Sequence, residues 1–201
     1  MSRLPVTAEG IPSCSSLGPV VCLMHRDRRQ ERRLARMHSF RKVWIIVGAE
    51  TLGVALADQL TKAAVRAWIP PDGSVEIIPG LLNLVHWSNT GIAFGLFQGR
   101  GELLAVLSVL ALVGIPLLFW WEWRREPALA RTAWGLGLIL GGALGNLIDR
   151  LRLGSVTDFL DFYVGNWHWH AFNLADSSIC VGTALVLYLA YRGSPAEGGS
   201  Q

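Results

Sequence analysis

The segment Leu103–Trp121 carries no charged residue and is long enough to cross the hydrocarbon core of a bilayer as one helix. Three further segments are similarly apolar: Val43–Leu60, Thr132–Ile148 and Ala171–Tyr191. Charged residues make up only 16% of the chain, against about 25% in an average soluble domain. These features predict an all-α membrane protein whose four transmembrane helices form one domain over residues 43–191.

Positive charge is concentrated before the first apolar segment. Nine of the 18 Lys and Arg residues precede Val43, so the net charge of +3 reflects one basic arm and not a surface for nucleic acid. The short apolar stretch Leu17–Met24 comes before most of these charges, which is the reverse of a secretory signal. Residues 1–42 are therefore predicted to form a flexible cytoplasmic arm, and residues 192–201 a short disordered tail. Met37 directly precedes the first helix, so residues 1–36 are either an extension or an over-long start-site assignment.

The connection between the first two apolar segments contains a β-prone stretch, Ser74–Ser88. Short runs of Val, Ile and Leu flank the turn dipeptide Pro79-Gly80, a pattern typical of a hairpin. We therefore expect a small β element between helices one and two, at the membrane surface. The later connection Asp149–His170 is predicted to be an aromatic loop, in which Trp167 and Trp169 fit an interfacial belt.

Most of the unusual polar residues fall at one face of the predicted bundle. In four antiparallel spans, the ends of spans one and three and the starts of spans two and four share one side of the membrane. Ionisable groups at membrane depth are costly and normally face the bundle interior or a water-filled cavity. Eight side chains are predicted to line such a polar pocket: Asp58, Lys62, Asn89, Asn146, Arg150, Asp158, Asn173 and Asp176.

The distribution of Lys and Arg predicts which side of the membrane this pocket faces. Thirteen of these residues lie on the face opposite the pocket and five on the pocket face. Because positive residues favour the cytoplasmic side, both termini are expected in the cytoplasm and the pocket near the outer leaflet. Without residues 1–36 the ratio falls to six against five.

Five motifs occur in order along the chain: Asp58–Lys62 (DQLTK), Asn89–Gly95 (NTGIAFG), Gly141–Arg150 (GGALGNLIDR), Val156–Phe159 (VTDF) and Phe172–Asp176 (FNLAD). In sequence and spacing they resemble the motifs of the lipoprotein signal peptidases. These type II signal peptidases are integral-membrane aspartyl proteases of bacteria. The resemblance covers about residues 43–191, and the chain departs from the family pattern at Ile92 and Thr157, where no chemical group is lost.

The resemblance implies a reaction, a substrate and a location. It assigns Asp158 and Asp176 as the catalytic residues of an aspartic endopeptidase. It implies roles in binding substrate or supporting the site for six others: Asp58, Lys62, Asn89, Asn146, Arg150 and Asn173. The implied substrate is a diacylglyceryl-modified prolipoprotein, cut just before its lipidated cysteine by a monomer in the bacterial inner membrane. Membrane lipid is the other expected partner, and neither a metal nor a cofactor is expected.

The chemistry of two neighbouring carboxyl groups agrees with this assignment. Two carboxyls within a few Å do not readily ionise together, so one acts as a base while the other retains a proton. The ionised member takes a proton from water and the neutral member hydrogen-bonds the scissile carbonyl oxygen. The sequence leaves open which of Asp158 and Asp176 holds the proton, because coupled titrations belong to the pair.

Several other residues have plainer interpretations. Asp149 sits at a helix end beside Arg150 and is expected to have a structural ion-pair or helix-end role. Glu50 is either a functional group or an interhelical hydrogen-bonding group, and His168 and His170 favour a belt role over a metal site because a third ligand is lacking. Cys180 is expected to be a buried packing residue. The alternative function is a small ion-coupled transporter or channel subunit, which explains intramembrane carboxyls but not the ordered motifs.

Overall fold

The computed structural model describes residues 19–91, 97–125 and 127–193. Its helices are α1 (Pro19–Trp68), α2 (Gly101–Arg125), α3 (Ala133–Leu153) and α4 (Leu174–Gly193), with a short 3-10 helix over Pro127–Thr132. Its strands are β1 (Ser74–Ile78), β2 (Leu82–Asn89), β3 (Val156–Val164) and β4 (Trp167–His168). The chain divides into two compact units, Met1–Val43 and Trp44–Gln201.

Some predicted features lie outside the described residues. They are residues 1–18 of the predicted arm, residues 194–201 of the predicted tail, and residues 92–96, which include Ile92 and the end of the second motif. Helix α1 begins at Pro19, well before the predicted start of the first apolar segment at Val43.

Three helical segments in the described part of the chain are long and apolar enough to cross a membrane: Phe40–Trp68, Gly101–Arg125 and Leu174–Arg192. Helix α3 is not among them. It is rich in glycine and carries Asn146, Asp149 and Arg150 near its end, all of which lower its hydropathy. The structure therefore gives a mostly helical membrane protein with a small antiparallel sheet.

The glycines of α3 allow α1 and α4 to approach it closely. A Cβ atom on Gly142 would lie 2.3 Å from the carbonyl oxygen of Ala175 in α4, and one on Gly141 would lie 2.6 Å from Cβ of Val54 in α1. Such small residues are typical of helix contacts in membranes, where packing supplies much of the association energy. Helix α3 thus lies between α1 and α4, and many of its residues are buried.

The four strands form one antiparallel sheet in the order β1-β2-β3-β4. The predicted hairpin is present: β1 and β2 flank Pro79-Gly80, Gly80 has a φ of 76°, and the Leu81 amide donates to the Ile78 carbonyl over 3.0 Å. This combination of Pro followed by a left-handed Gly is typical of a type II turn.

The sheet extends beyond the predicted β element between helices one and two. Strands β3 and β4 come from the connection after α3, which was predicted to be a loop, and β2 pairs with β3 so that Trp87 lies opposite Asp158. The sheet packs against the end of α1 through a small apolar core of Val65, Ile69 and Phe159. Strand β3 therefore brings a residue of the predicted pocket into the sheet.

Candidate active site

Asn173 connects the two aspartates of the predicted pair. Its side-chain amide donates to Oδ1 of Asp158 over 2.8 Å, and its Oδ1 accepts from the backbone amide of Asp176 over 3.0 Å. Its own backbone amide donates to Oδ2 of Asp176 over 3.2 Å. Asn173 is thus the N-cap of α4 and Asp176 the third residue of a capping box, which holds the carboxyl at the start of the helix.

Two further asparagines complete the contacts of the carboxyl groups. Asn89, at the end of β2, donates to Oδ2 of Asp158 over 2.8 Å. Asn146, on α3, donates to Oδ1 of Asp176 over 2.8 Å. Each aspartate therefore receives hydrogen bonds at both oxygens from groups on different elements, and the pair is held at the junction of β2, β3, α3 and α4.

A buried charged network lies behind Asn146. Lys62, which is fully buried in α1, contacts Oδ2 of Asp58 at 2.8 Å, Oδ2 of Asp149 at 3.3 Å and Oδ1 of Asn146 at 2.8 Å. Asp58 also accepts from the backbone amide of Ala175 over 3.0 Å, in the first turn of α4. The network orients Asn146 and anchors the start of α4, so Asp58 and Lys62 act on the aspartates through other residues.

A cavity of about 570 Å³ opens beside the two aspartates. Polar side chains of Asn89, Asn146, Arg150, Asp158 and Asp176 line one part of it. The remaining wall is largely apolar or aromatic and is formed by Gly91, Val156, Trp169, His170, Ala171, Phe172, Ser177, Ile179 and Cys180. Arg150 lies at the cavity with Nη2 3.4 Å from the Gly91 carbonyl oxygen. The arrangement suits a ligand with a polar reacting group and an apolar body.

The environment of Asp158 favours its neutral form. The side chain is only 3% exposed. Burial raises its pKa from 3.8 to about 6; the nearby charge of Asp176 also raises it, whereas the hydrogen bonds from Asn89 and Asn173 lower it. One member of the pair is thereby able to keep a proton close to neutral pH, as acid–base hydrolysis by two carboxyls requires.

This pKa shift predicts how stability depends on pH. Between pH 3.8 and about 6 the folded protein binds a proton at Asp158 that the unfolded chain has lost, so stability falls as pH rises through this window. The shift corresponds to about 3 kcal/mol. Asp158→Asn does not titrate, so thermal unfolding in detergent from pH 3.5 to 7.5 should show the variant gaining stability relative to the parent as pH rises.

A matched control is Asp72→Asn, because Asp72 is exposed after the end of α1. The difference in melting temperature between Asp72→Asn and the parent should stay nearly constant over the same pH range. An equally constant difference for Asp158→Asn would contradict the raised pKa.

Other sequence predictions fare differently. Asp149 has the structural ion-pair role expected for it, and its partner is Lys62 of α1; it also accepts from Nε2 of Gln59 over 3.0 Å. Cys180 is exposed and lines the cavity, so its predicted burial is wrong. A four-span topology alone does not predict which face of α4 is directed toward the cavity, and Cys180 lies on that face.

Residues with plainer interpretations are also located. His168 lies 2.9 Å from Oδ2 of Asp161, and His170 lies 2.9 Å from the Ala171 carbonyl oxygen. Within the described ranges, no group of three or more His, Cys, Asp or Glu residues is arranged to hold a metal ion. Glu50 packs against Gly137 of α3, and its Oε2 is buried without a hydrogen-bond partner.

Sequence reasoning missed two contributors to the site region. Gln59 donates to the Gly145 carbonyl oxygen and to Asp149, which joins α1 to α3. Arg66 donates to the hydroxyl of Thr157, directly before Asp158. Gln59 lies inside the first motif, and Arg66 follows Lys62 by four residues on the same helix side, a spacing that signals a shared face.

Together the fold and site define a multi-pass membrane protein with two carboxyl groups, both hydrogen-bonded to Asn173, beside a cavity. Comparison with known proteins identifies the particular family. The family model described as signal peptidase (SPase) II matches residues 51–192. A lipoprotein signal peptidase of Nitratidesulfovibrio vulgaris is 45% identical over 166 residues, covering 80% of this chain and 97% of the relative. One from Solibacter usitatus is 42% identical over 149 residues, covering 72% and 88%.

A solved structure supports the same relationship. A bacterial membrane enzyme determined by the in meso method at 2.3 Å resolution matches with a TM-score of 0.66 and 26% identity, over 77% of this chain and 93% of that one. The chain belongs to the signal peptidase II family. It is accordingly a protease and a multi-pass protein of the bacterial inner membrane.

Proposed function

We propose that this chain is an aspartic endopeptidase that removes the signal peptide from diacylglyceryl-modified prolipoproteins by cutting just before the lipidated cysteine. Family membership supports the removal of signal peptides from prolipoproteins. The observation that carries the aspartic mechanism is the shared contact of Asn173, which hydrogen-bonds Asp158 and Asp176 at once.

The two carboxyl groups are assigned different protonation states. Asp158 is buried on a strand and its raised pKa favours the neutral acid. Asp176 lies in the first turn of α4, where its carboxyl accepts hydrogen bonds from the backbone amide of Asn173 and from the side chain of Asn146. Asp158 therefore holds the proton in the resting pair, and Asp176 is the base.

Hydrolysis then proceeds without a covalent intermediate. Asp176 takes a proton from water as the water oxygen bonds to the scissile carbonyl carbon, and Asp158 gives its proton to the carbonyl oxygen. In the second stage the proton on Asp176 passes to the amide nitrogen, the C–N bond breaks, and Asp158 recovers a proton from the collapsing diol. The products are the carboxyl end of the signal peptide and the free amino group of the lipidated cysteine.

The asparagines and Arg150 have separate tasks in this scheme. The side-chain amides of three asparagines donate to the carboxyl oxygens and hold the two aspartates in place: Asn89, Asn146 and Asn173. Arg150 lies at the cavity wall, and its guanidinium is the charged donor available to orient a substrate carbonyl. The apolar wall, which includes Phe172 and Ile179, suits the lipid-bearing part of the substrate.

The proposed topology has four spans, with α3 as the third. Its low hydropathy is compatible with a central position, because neighbouring helices replace lipid around it. The excess of Lys and Arg at the opposite face supports cytoplasmic termini, a site near the outer leaflet and a sheet on that surface. Residues 1–42 form the basic arm, residues 43–191 the peptidase domain and residues 192–201 the tail of a monomer that contacts membrane lipid.

The test uses the purified full chain with a diacylglyceryl-modified precursor and the same precursor lacking the lipid. We expect mass spectrometry to find cleavage directly before the lipidated cysteine and little cleavage of the unmodified form. Efficient cleavage of both forms, or at another bond, would contradict the proposed substrate. Ion flux through reconstituted protein without cleavage would support the transporter alternative, which family membership does not favour.

A further inference from the structure

The residue before Asp158 is tied to two helices by contacts that the proposed reaction does not use. Nη1 of Arg66, on α1, donates to Oγ1 of Thr157 over 2.9 Å. The backbone amide of Thr157 donates to Oδ2 of Asp149, on α3, over 3.0 Å. Arg66 and Asp149 also form an ion pair at 3.8 Å. These three residues are defined here as the Thr157 brace.

The brace lies close to an irregularity of the sheet, on the opposite side of Asp158. Pairing of β2 with β3 is irregular between Leu84 and Trp87, and Trp87 is the partner of Asp158. A bulge interrupts the hydrogen-bond ladder and bends the strand locally. The irregularity falls on the Leu160 side of Asp158, whereas Thr157 pairs regularly with Ser88. Contacts from α1 and α3 add to this pairing and fix the peptide that leads into Asp158.

The surroundings of the brace make these contacts energetically significant. Thr157 is 4% exposed and Asp149 1% exposed, so the hydroxyl and carboxylate have little water to replace a lost partner. Arg66 is a quarter exposed at its side chain and can recover water when the hydroxyl is removed. Loss of the threonine hydroxyl should therefore disturb local geometry more than global stability.

We infer that Arg66 and Thr157 are positioning residues for hydrolysis, which hold the strand so that the Asp158 carboxyl meets Asp176 in the reactive arrangement. This inference rests on the proposed role of Asp158. Neither residue is among the described side chains that line the cavity, so substrate binding does not depend on them directly. Their removal should affect the chemical step and leave the apparent affinity for substrate nearly unchanged.

Thr157→Val tests this inference because valine keeps the shape and loses the hydroxyl. We expect kcat for the lipid-modified precursor to fall about tenfold with KM within about twofold of the parent. Thr157→Ser, which keeps the hydroxyl, should restore most of the rate. Arg66→Gln should produce a similar fall. The Thr157→Val/Arg66→Gln double variant should be no slower than Arg66→Gln alone, because both changes remove the same Arg66–Thr157 hydrogen bond.

Matched controls separate positioning from general damage. Thr183→Val, on an exposed position of α4, and Arg152→Gln, on an exposed position at the end of α3, should retain the parent rate. If Thr157→Val fails to fold, Arg66→Gln carries the test, since Arg66 is partly exposed.

Two results would overturn the inference. The first is an unchanged kcat in folded Thr157→Val or Arg66→Gln. The second is a loss of kcat that Thr157→Ser does not rescue and that parallels the fall in melting temperature across the variants. A parent-like Thr157→Val beside an inactive Asp158→Asn would refute only the brace. An active Asp158→Asn would refute the proposed function.

Discussion

Replacing Asp158 or Asp176 with asparagine is expected to lower the rate of signal-peptide release by about 10³-fold or more, since each change removes an acid–base group. Asparagine keeps the size of the side chain and one acceptor oxygen. It neither takes a proton from water at position 176 nor gives one to the carbonyl oxygen at position 158. The measurement is single-turnover cleavage of a lipid-modified precursor by each purified variant.

The hydrogen bonds around the pair make the control for this experiment important. Asn89 and Asn173 both donate to Asp158. In Asp158→Asn one of the acceptor oxygens becomes an NH₂ group, so one of the two asparagines loses its acceptor and faces another donor. Each variant must therefore be shown to melt cooperatively in detergent before its rate is interpreted. Asp72→Asn, at an exposed turn, should cleave like the parent. Near-parent cleavage by folded Asp158→Asn or Asp176→Asn would remove that residue from the mechanism.

Lys62→Met is expected to have the largest effect on stability. The ammonium group is fully buried and contacts Asp58 and Asp149, which are also buried. Removing one partner of such a network leaves uncompensated buried charge and costs about 3–5 kcal/mol. Asn146 would also lose its contact with Nζ, and Asn146 orients Asp176, so activity should be lost together with stability.

The thermal unfolding of Lys62→Met in detergent measures this effect, and Lys42→Met is its matched control because Lys42 is exposed. Adding Asp149→Asn to Lys62→Met removes one of the two carboxylates that lose their contact with Lys62 and should restore part of the lost stability. A melting temperature for Lys62→Met equal to that of the parent would show that the network does not stabilise the fold.

The sequence predicts that the pocket residues lie together, because antiparallel spans fix which segment ends share a membrane face. Asp58, Asn146 and Asp176 lie at the ends of segments that the proposed four-span topology places at one membrane face, and scarce polar groups in apolar helices avoid lipid. The hairpin is equally local, since Pro79-Gly80 specifies a turn that flanking β-prone residues extend. The catalytic role of Asp158 and Asp176 stays a prediction until the variants are assayed.

The remaining features depend on contacts between residues far apart in the chain. Strand β3 has buried residues at consecutive positions, including Thr157, Asp158 and Asp161, so its sequence lacks the alternation that signals a strand. It becomes a strand because it pairs with β2, which belongs to a different connection, the one between α1 and α2. The true partner of Asp149 is likewise set by packing of α1 on α3, which a local charge pattern with Arg150 does not reveal.

The central claim is that Asp158 and Asp176 act as one catalytic unit on a peptide bond. The most direct test compares single-turnover rates of Asp158→Asn, Asp176→Asn and the double variant, all folded, on the same lipid-modified precursor. Residues that act as a unit are strongly non-additive, so the double variant should be about as slow as either single variant. Either single variant cleaving near the parent rate, or two modest losses that simply multiply in the double variant, would contradict the claim.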